Sequence, residues 1–180
     1  MDVTITQLIN NFSGQNFVAD QFFILITKCG VPFLVFVVVA QWWVGTPRVT
    51  ARQTALKAGL TFLLGLGMAQ VMLLFIHRMR PYDVGISHLL VPSTVDWSFP
   101  SDHAIASFSI VFAYALSGFR REAIWFFILA TFICFSRIFV GMHYASDILG
   151  GAAVALVAAI AVHTLYPRGS KLDQWLVSRF

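Results

Sequence analysis

Apolar positions fill the chain in five long runs, and polar positions gather between the runs or at their ends. Ahead of the first run, Ile5, Leu8, Ile9 and Phe12 recur at helical spacing while Asn10 and Asn11 fall off that face. This predicts a short amphipathic helix lying in a membrane interface and ended near Gly14. The runs themselves predict spanning helices over about 22–44, 55–77, 101–118, 122–141 and 146–166. A hydrocarbon core of about 30 Å needs roughly 20 residues of helix. The third and fourth runs reach that length only with their polar ends included. Lys28 is the one charge in the first run and lies near enough to its start to snorkel. Trp42 and Trp43 mark the far end, as interfacial aromatics do, and Gly45-Thr46-Pro47 breaks the helix. The predicted organisation is an interfacial helix at 1–20, a transmembrane domain at 21–168 and a basic cytoplasmic tail at 169–180.

Composition agrees with an all-α integral membrane protein. Of 180 residues, 58% are hydrophobic and 11% are charged, against about 25% charged in a soluble domain. Mean hydropathy is +0.79. The net charge of +4 is small, and the basic residues sit in loops, which argues for membrane orientation and against nucleic-acid binding. Arg48, Arg52, Lys57, Arg120, Arg121, Arg168, Lys171 and Arg179 share one side, eight of the 12 basic residues. The positive-inside rule makes that side cytoplasmic. Residues 78–101 and the turn near 141–146 then lie outside, as does the N-terminus. Cys29 and Cys134 stand far apart in apolar runs and read as core residues. Residues 1–20 lack a basic n-region and do not read as a secretory signal peptide.

The remaining polar residues collect at the outer ends of the last four runs. Arg78, Arg80 and Pro81 close the second; Ser101, Asp102 and His103 open the third; Ser136 and Arg137 end the fourth; His143 and Asp147 bracket the start of the fifth. Ionisable groups at membrane depth are costly and point to function. Arginine forks suit phosphate oxygens. Ser101 is placed to cap a helix whose free N–H groups favour an anion. One histidine can attack phosphorus while a second protonates the leaving oxygen. His143 and Asp147, four apart, share a face if the helix includes both, so the carboxylate can orient the ring. No cluster of carboxylates with metal-ligand character is present, which argues against a two-metal phosphatase. Asp83 and Asp96 read as solvated loop residues, and His88 and His163 as structural or interfacial. Trp97 and Phe99 read as outer-interface anchors, and Gly65, Gly67, Gly150 and Gly151 as permitting close helix packing.

Three stretches, RP at 80–81, PSDH at 100–103 and SRIFVGMHYASD at 136–147, resemble the ordered signature of the type 2 phosphatidic acid phosphatase superfamily, KxxxxxxRP, PSGH and SRxxxxxHxxxD. The resemblance covers about 55–166. It implies His143 as the nucleophile of a phosphohistidine, oriented by Asp147, with His103 as general acid. It implies Arg80 and Arg137, with Ser101, as phosphate-binding, and no cofactor or metal. Two positions depart from the pattern. The first-motif lysine falls at Leu73, leaving Arg78 or His77 to supply positive charge, and the PSGH glycine is Asp102. Neither Asp102 nor Ser136 takes a definite role. The PSDH form resembles bacterial undecaprenyl diphosphate phosphatases of the bacitracin-resistance type. That implies a polyprenyl diphosphate as lipid partner, within the bilayer of a bacterial inner membrane, with the site facing the periplasm or exterior. The same motifs suit a phospholipid phosphatase acting on phosphatidylglycerophosphate, phosphatidate or diacylglycerol pyrophosphate, or a lipid phosphotransferase. A transporter or scaffold is the reading from another class, but it would carry its ionisable groups near mid-membrane.

Overall fold

The computed structural model describes residues 1–44 and 48–166. The break at 45–47 and the basic tail at 169–180, with Arg168, lie outside the described residues. The described chain is helical: α1 Asp2–Asn10, α2 Phe17–Val44, α3 Arg48–Leu73, α4 Asp102–Leu116, α5 Arg120–Phe139 and α6 Ala145–Leu165. Helices α2, α3, α5 and α6 are long and apolar enough to cross a membrane. Two boundaries move from their expected places. Helix α2 starts at Phe17, inside the segment assigned to the interfacial helix, and α3 spans Arg48–Leu73 rather than 55–77. The basic start of α3 stays helical because a helix satisfies its own backbone through the headgroup layer. Beyond Leu73 one last turn closes on Met72, and the chain then extends to deliver Arg78 and Arg80.

Helix α4 has 15 residues, about 22 Å at 1.5 Å per residue, too short to cross alone. It needs no full lipid-facing length because it sits in the middle of the bundle, packed on α3, α5 and α6. Residues on all sides of it are buried, including Ile105, Phe108, Val111 and Tyr114. Close contact on α6 depends on small residues: a Cβ at Gly151 would stand 2.6 Å from the Ser101 carbonyl, and one at Gly150 would strike the Phe99 ring. Gly65 faces Ile105 in the same way, whereas Gly67 faces open space and does not pack as expected.

Helix α1 departs most from expectation. Ile5 and Leu8, with Phe12 just beyond the helix, point outward, as an interfacial helix requires, whereas Ile9 of the same predicted face packs against the core. Its opposite face is not solvated. Asp2, Thr6 and Asn10, spaced four apart, form a polar stripe docked on the protein, and Asn10 is only 3% exposed. Asn10 Nδ2 donates to the Phe139 carbonyl at 2.8 Å and to the His88 carbonyl at 2.9 Å, and its Oδ1 accepts from the His88 amide at 2.7 Å. Asn10 is thus satisfied by backbone groups of other parts of the chain.

Candidate active site

The C-terminal ends of α3 and α5, the N-terminal end of α4, the turn before α6 and the connection after α3 meet at one pocket of about 290 Å³. That size suits a small polar head rather than a whole lipid. Arg80, Asp96, Asp102, His103, Arg137 and His143 line it, with Gln70, Leu73, Thr94, Trp97, Pro100 and Met142. Residues from all three motif stretches therefore meet at this pocket.

His143 is 3% exposed. It is not on α6, which starts at Ala145; it stands in the turn before it. Gly141 makes this turn, with φ +84°, and a Cβ there would overlap the His88 carbonyl oxygen. His143 Nδ1 lies 2.9 Å from the Ser98 carbonyl. A carbonyl only accepts, so Nδ1 carries the proton and Nε2 the lone pair. Nε2 lies 3.3 Å from Arg80 Nη1. Burial pushes the ring down to about 4; Asp147 opposes this, while Arg137 and Arg80 add to it.

Asp147 was expected to hold the ring directly across one helix face. It stands 3.6 Å from Nδ1, beyond hydrogen-bond reach. Instead its Oδ2 accepts from Ser98 Oγ at 2.5 Å and from the Tyr144 amide at 2.8 Å. Ser98 thus links the two, its hydroxyl on Asp147 and its carbonyl on the ring. Nothing in residue type or motif singled out Ser98; the connection places it.

Arg80 is fixed from three directions. Nε donates to the Asp96 carbonyl at 3.1 Å, Nη1 to the Met142 carbonyl at 2.9 Å, and Nη2 lies 3.0 Å from Asp96 Oδ1. Asp96 is therefore an ion-pair partner in the pocket wall, not a merely solvated loop residue. Burial opposes its charge, but Thr94 and Arg80 outweigh burial and hold the carboxyl below its usual range. Arg137, in the last turn of α5, is 6% exposed, and its buried Nε has no partner among the described residues. An unmade bond on a buried donor costs about 1–3 kcal/mol, so this group suits an acceptor oxygen from a ligand.

Four other expected residues stand elsewhere. Arg78 does not line the pocket. Its Nη1 donates to Asp147 Oδ1 at 2.7 Å and its Nη2 to Asp2 Oδ2 at 2.5 Å, and its guanidinium lies 3.7 Å over the Tyr144 ring. Two carboxylates already hold it behind Asp147. His77 is exposed, with its ring against Trp97, so it supplies no positive group to the pocket. Ser101 is the N-cap of α4 but makes no capping bond, and its buried Oγ has no partner among the described residues. Ser136 donates to the Ile133 carbonyl at 2.6 Å and pairs with Thr27 Oγ1 at 2.8 Å, tying α5 to α2. Asp102 does line the pocket, as does Leu73, the departure from the first motif; Gln70 is the polar side chain beside it on α3. The pocket holds two guanidiniums, Arg80 and Arg137, and two carboxylates, Asp96 and Asp102.

Fold and site together define an all-α, multi-pass membrane protein with a phosphate-suited pocket at one end of its bundle. The chain belongs to the PAP2 superfamily, whose pattern matches residues 54–171. It is 32% identical over 159 residues to undecaprenyl-diphosphatase BcrC of Bacillus subtilis (strain 168), covering 87% of this chain and 80% of that one. It also resembles the crystal structure of Aquifex aeolicus LpxE, with a TM-score of 0.71 at 22% identity, over 89% of this chain and 93% of that one. A PAP2 type phosphatidylglycerolphosphate phosphatase from Bacillus subtilis gives a TM-score of 0.66 at 20% identity, over 93% and 87%. These two structures share the fold.

Proposed function

We propose that the chain is a lipid phosphatase that converts undecaprenyl diphosphate to undecaprenyl phosphate and phosphate. One observation carries the chemistry: the buried His143 presents an Nε2 lone pair to a pocket walled by Arg80 and Arg137. Nε2 attacks the terminal phosphorus, and the bond to the bridging oxygen breaks. His103 gives its proton to the departing lipid phosphate. A water then attacks the phosphohistidine, His103 takes back a proton, and the P–N bond breaks to release phosphate. Arg80 and Arg137 bind the equatorial oxygens through the step. Every step runs through side chains, and none is assigned to a metal ion.

The lipid part is supported by an apolar cleft. Asp102 and His103 line both the pocket and a cleft walled by Val31, Phe62, Leu66 and Ala106. That cleft continues between α2 and α3 past Val38, Ala55 and Gly59 toward Trp42 and Trp43. A polyprenyl chain can lie there while its head enters the pocket. The relative named undecaprenyl-diphosphatase supports this lipid. Arg52, Lys57, Arg120 and Arg121 lie at the other end of the bundle, which supports a pocket facing the outside of a bacterial inner membrane.

The test is phosphate release by the purified protein from undecaprenyl diphosphate and from phosphatidylglycerophosphate, side by side in one detergent with EDTA present. The expected result is a higher kcat/KM on the diphosphate. Equal or better kcat/KM on the phospholipid reassigns the substrate. Activity lost to EDTA and restored by magnesium overturns the metal-free scheme.

A further inference from the structure

Helix α1 precedes the region that matches the family, yet its polar stripe is bonded to both ends of the turn that carries His143. At one end Asn10 holds the Phe139 carbonyl, the last residue of α5. At the other end Thr6 Oγ1 accepts from the Ala145 amide at 3.2 Å, and Asp2 Oδ1 accepts from the Ser146 amide at 2.9 Å. Asp2 Oδ2 also accepts from Ser146 Oγ at 2.6 Å. These are the first N–H groups of α6, which have no partner within their own helix.

We propose that α1 is a latch on the catalytic turn, and that Asp2 is a positioning residue acting on His143 through Arg78, Asp147 and Ser98. This rests on the reading in which His143 is the nucleophile. The connection is continuous. Asp2 pairs with Arg78 Nη2. Arg78 Nη1 holds Asp147 Oδ1, and Asp147 Oδ2 holds the Ser98 hydroxyl. The Ser98 carbonyl receives the His143 Nδ1 proton and so keeps the lone pair on Nε2. Asp2 has a second role in this chain. Arg78 bears one charge between two carboxylates, so Asp2 fixes how its fork is shared. Without Asp2 the guanidinium turns wholly to Asp147 and Ser146, and the Ser146 amide loses its acceptor. A small displacement of a nucleophile far exceeds the loss of one exposed ion pair in its effect on rate.

The experiment uses the full-length protein in lipid nanodiscs, as wild type, D2A, D2E and L8A. Leu8 lies on the outward face of α1 and is 61% exposed. Two quantities are read: kcat and KM on undecaprenyl diphosphate, and deuterium exchange at the amides of Tyr144, Ala145 and Ser146. Asp2→Ala should lower kcat about 10-fold with KM within about 2-fold of wild type. Asp2→Glu should restore most of the loss, and Leu8→Ala should keep wild-type values. Exchange should rise in D2A alone. If D2A does not fold, D2N is judged by kcat and KM alone, because it keeps an acceptor for the Ser146 amide and removes the charge that pairs with Arg78. Wild-type kcat in D2A overturns the proposal, whether or not exchange changes. An equal loss in D2A and L8A also overturns it, since α1 then only stabilises the fold. Should the wild type release no phosphate from lipid diphosphates, the functional reading fails, and exchange alone decides the latch: raised in D2A but not L8A supports it, unchanged overturns it.

Discussion

His143 carries its ring proton on Nδ1 because its partner there is a carbonyl, and that fixes what the residue is able to do. His143→Ala should abolish phosphate release while the protein still folds, measured by turnover beside a thermal melt. The melt has its own pH signature. Burial lowers the folded-state value from 6.5 to about 4, so the unfolded chain binds a proton in that window and the folded chain does not. Stability should therefore fall as pH drops from 6.5 toward 4, and His143→Ala should flatten that part of the curve. Arg78→Ala should cost rate on every substrate alike, about 10-fold or more, because Arg78 holds Asp147 and touches no ligand; a change in the ratio of kcat/KM between undecaprenyl diphosphate and a monophosphate lipid would contradict this. His103, His143, Arg80 and Arg137 were legible in sequence as pocket residues because their chemistry is unusual beside apolar runs. Ser98, Asp96 and Asp2 were not, because polar residues in a long connection or a terminal turn look solvated until the fold buries their partners. Arg78 failed for the converse reason: residue type announces a cation but not which carboxylates reach it first.

At the scale of elements, periodicity predicted the right helices and misjudged two roles. Helix α4 looks like a marginal span in sequence and is a central strut in structure, since hydropathy counts apolar residues without knowing which face lipid. Helix α1 shows an apolar stripe that reads as a membrane face, and Ile5 and Leu8 on it are exposed; that its polar stripe docks on backbone groups of α5 and α6 depends on partners more than 70 residues away in sequence. Glycine packing gives a sharp contrast. Gly151→Ala must push a Cβ into the Ser101 carbonyl and should destabilise by about 1–3 kcal/mol, with loss of activity because α4 carries His103. Gly67→Ala meets open space and should leave the melting temperature the same or raise it slightly. Thermal unfolding in detergent compares the two.

The whole molecule is polarised: pocket, α1 and the connection after α3 at one end, and Arg52, Lys57, Arg120 and Arg121 at the other. With Cys29 and Cys134 replaced, a cysteine at position 93 should react with a membrane-impermeant maleimide added outside intact cells, and one at 121 should not; the reverse pattern would put the pocket in the cytoplasm. The cleft between α2 and α3 opens to the bilayer along much of its length. A substrate held there never enters bulk water, so the concentration that governs encounter is a surface density, a mole fraction among neighbouring lipids. Diluting the same amount of substrate into more carrier lipid should slow the enzyme even when its amount per millilitre is unchanged. In the proposed reaction the monophosphate product keeps the same tail and the same plane, and it should compete for the cleft until something in the membrane consumes it.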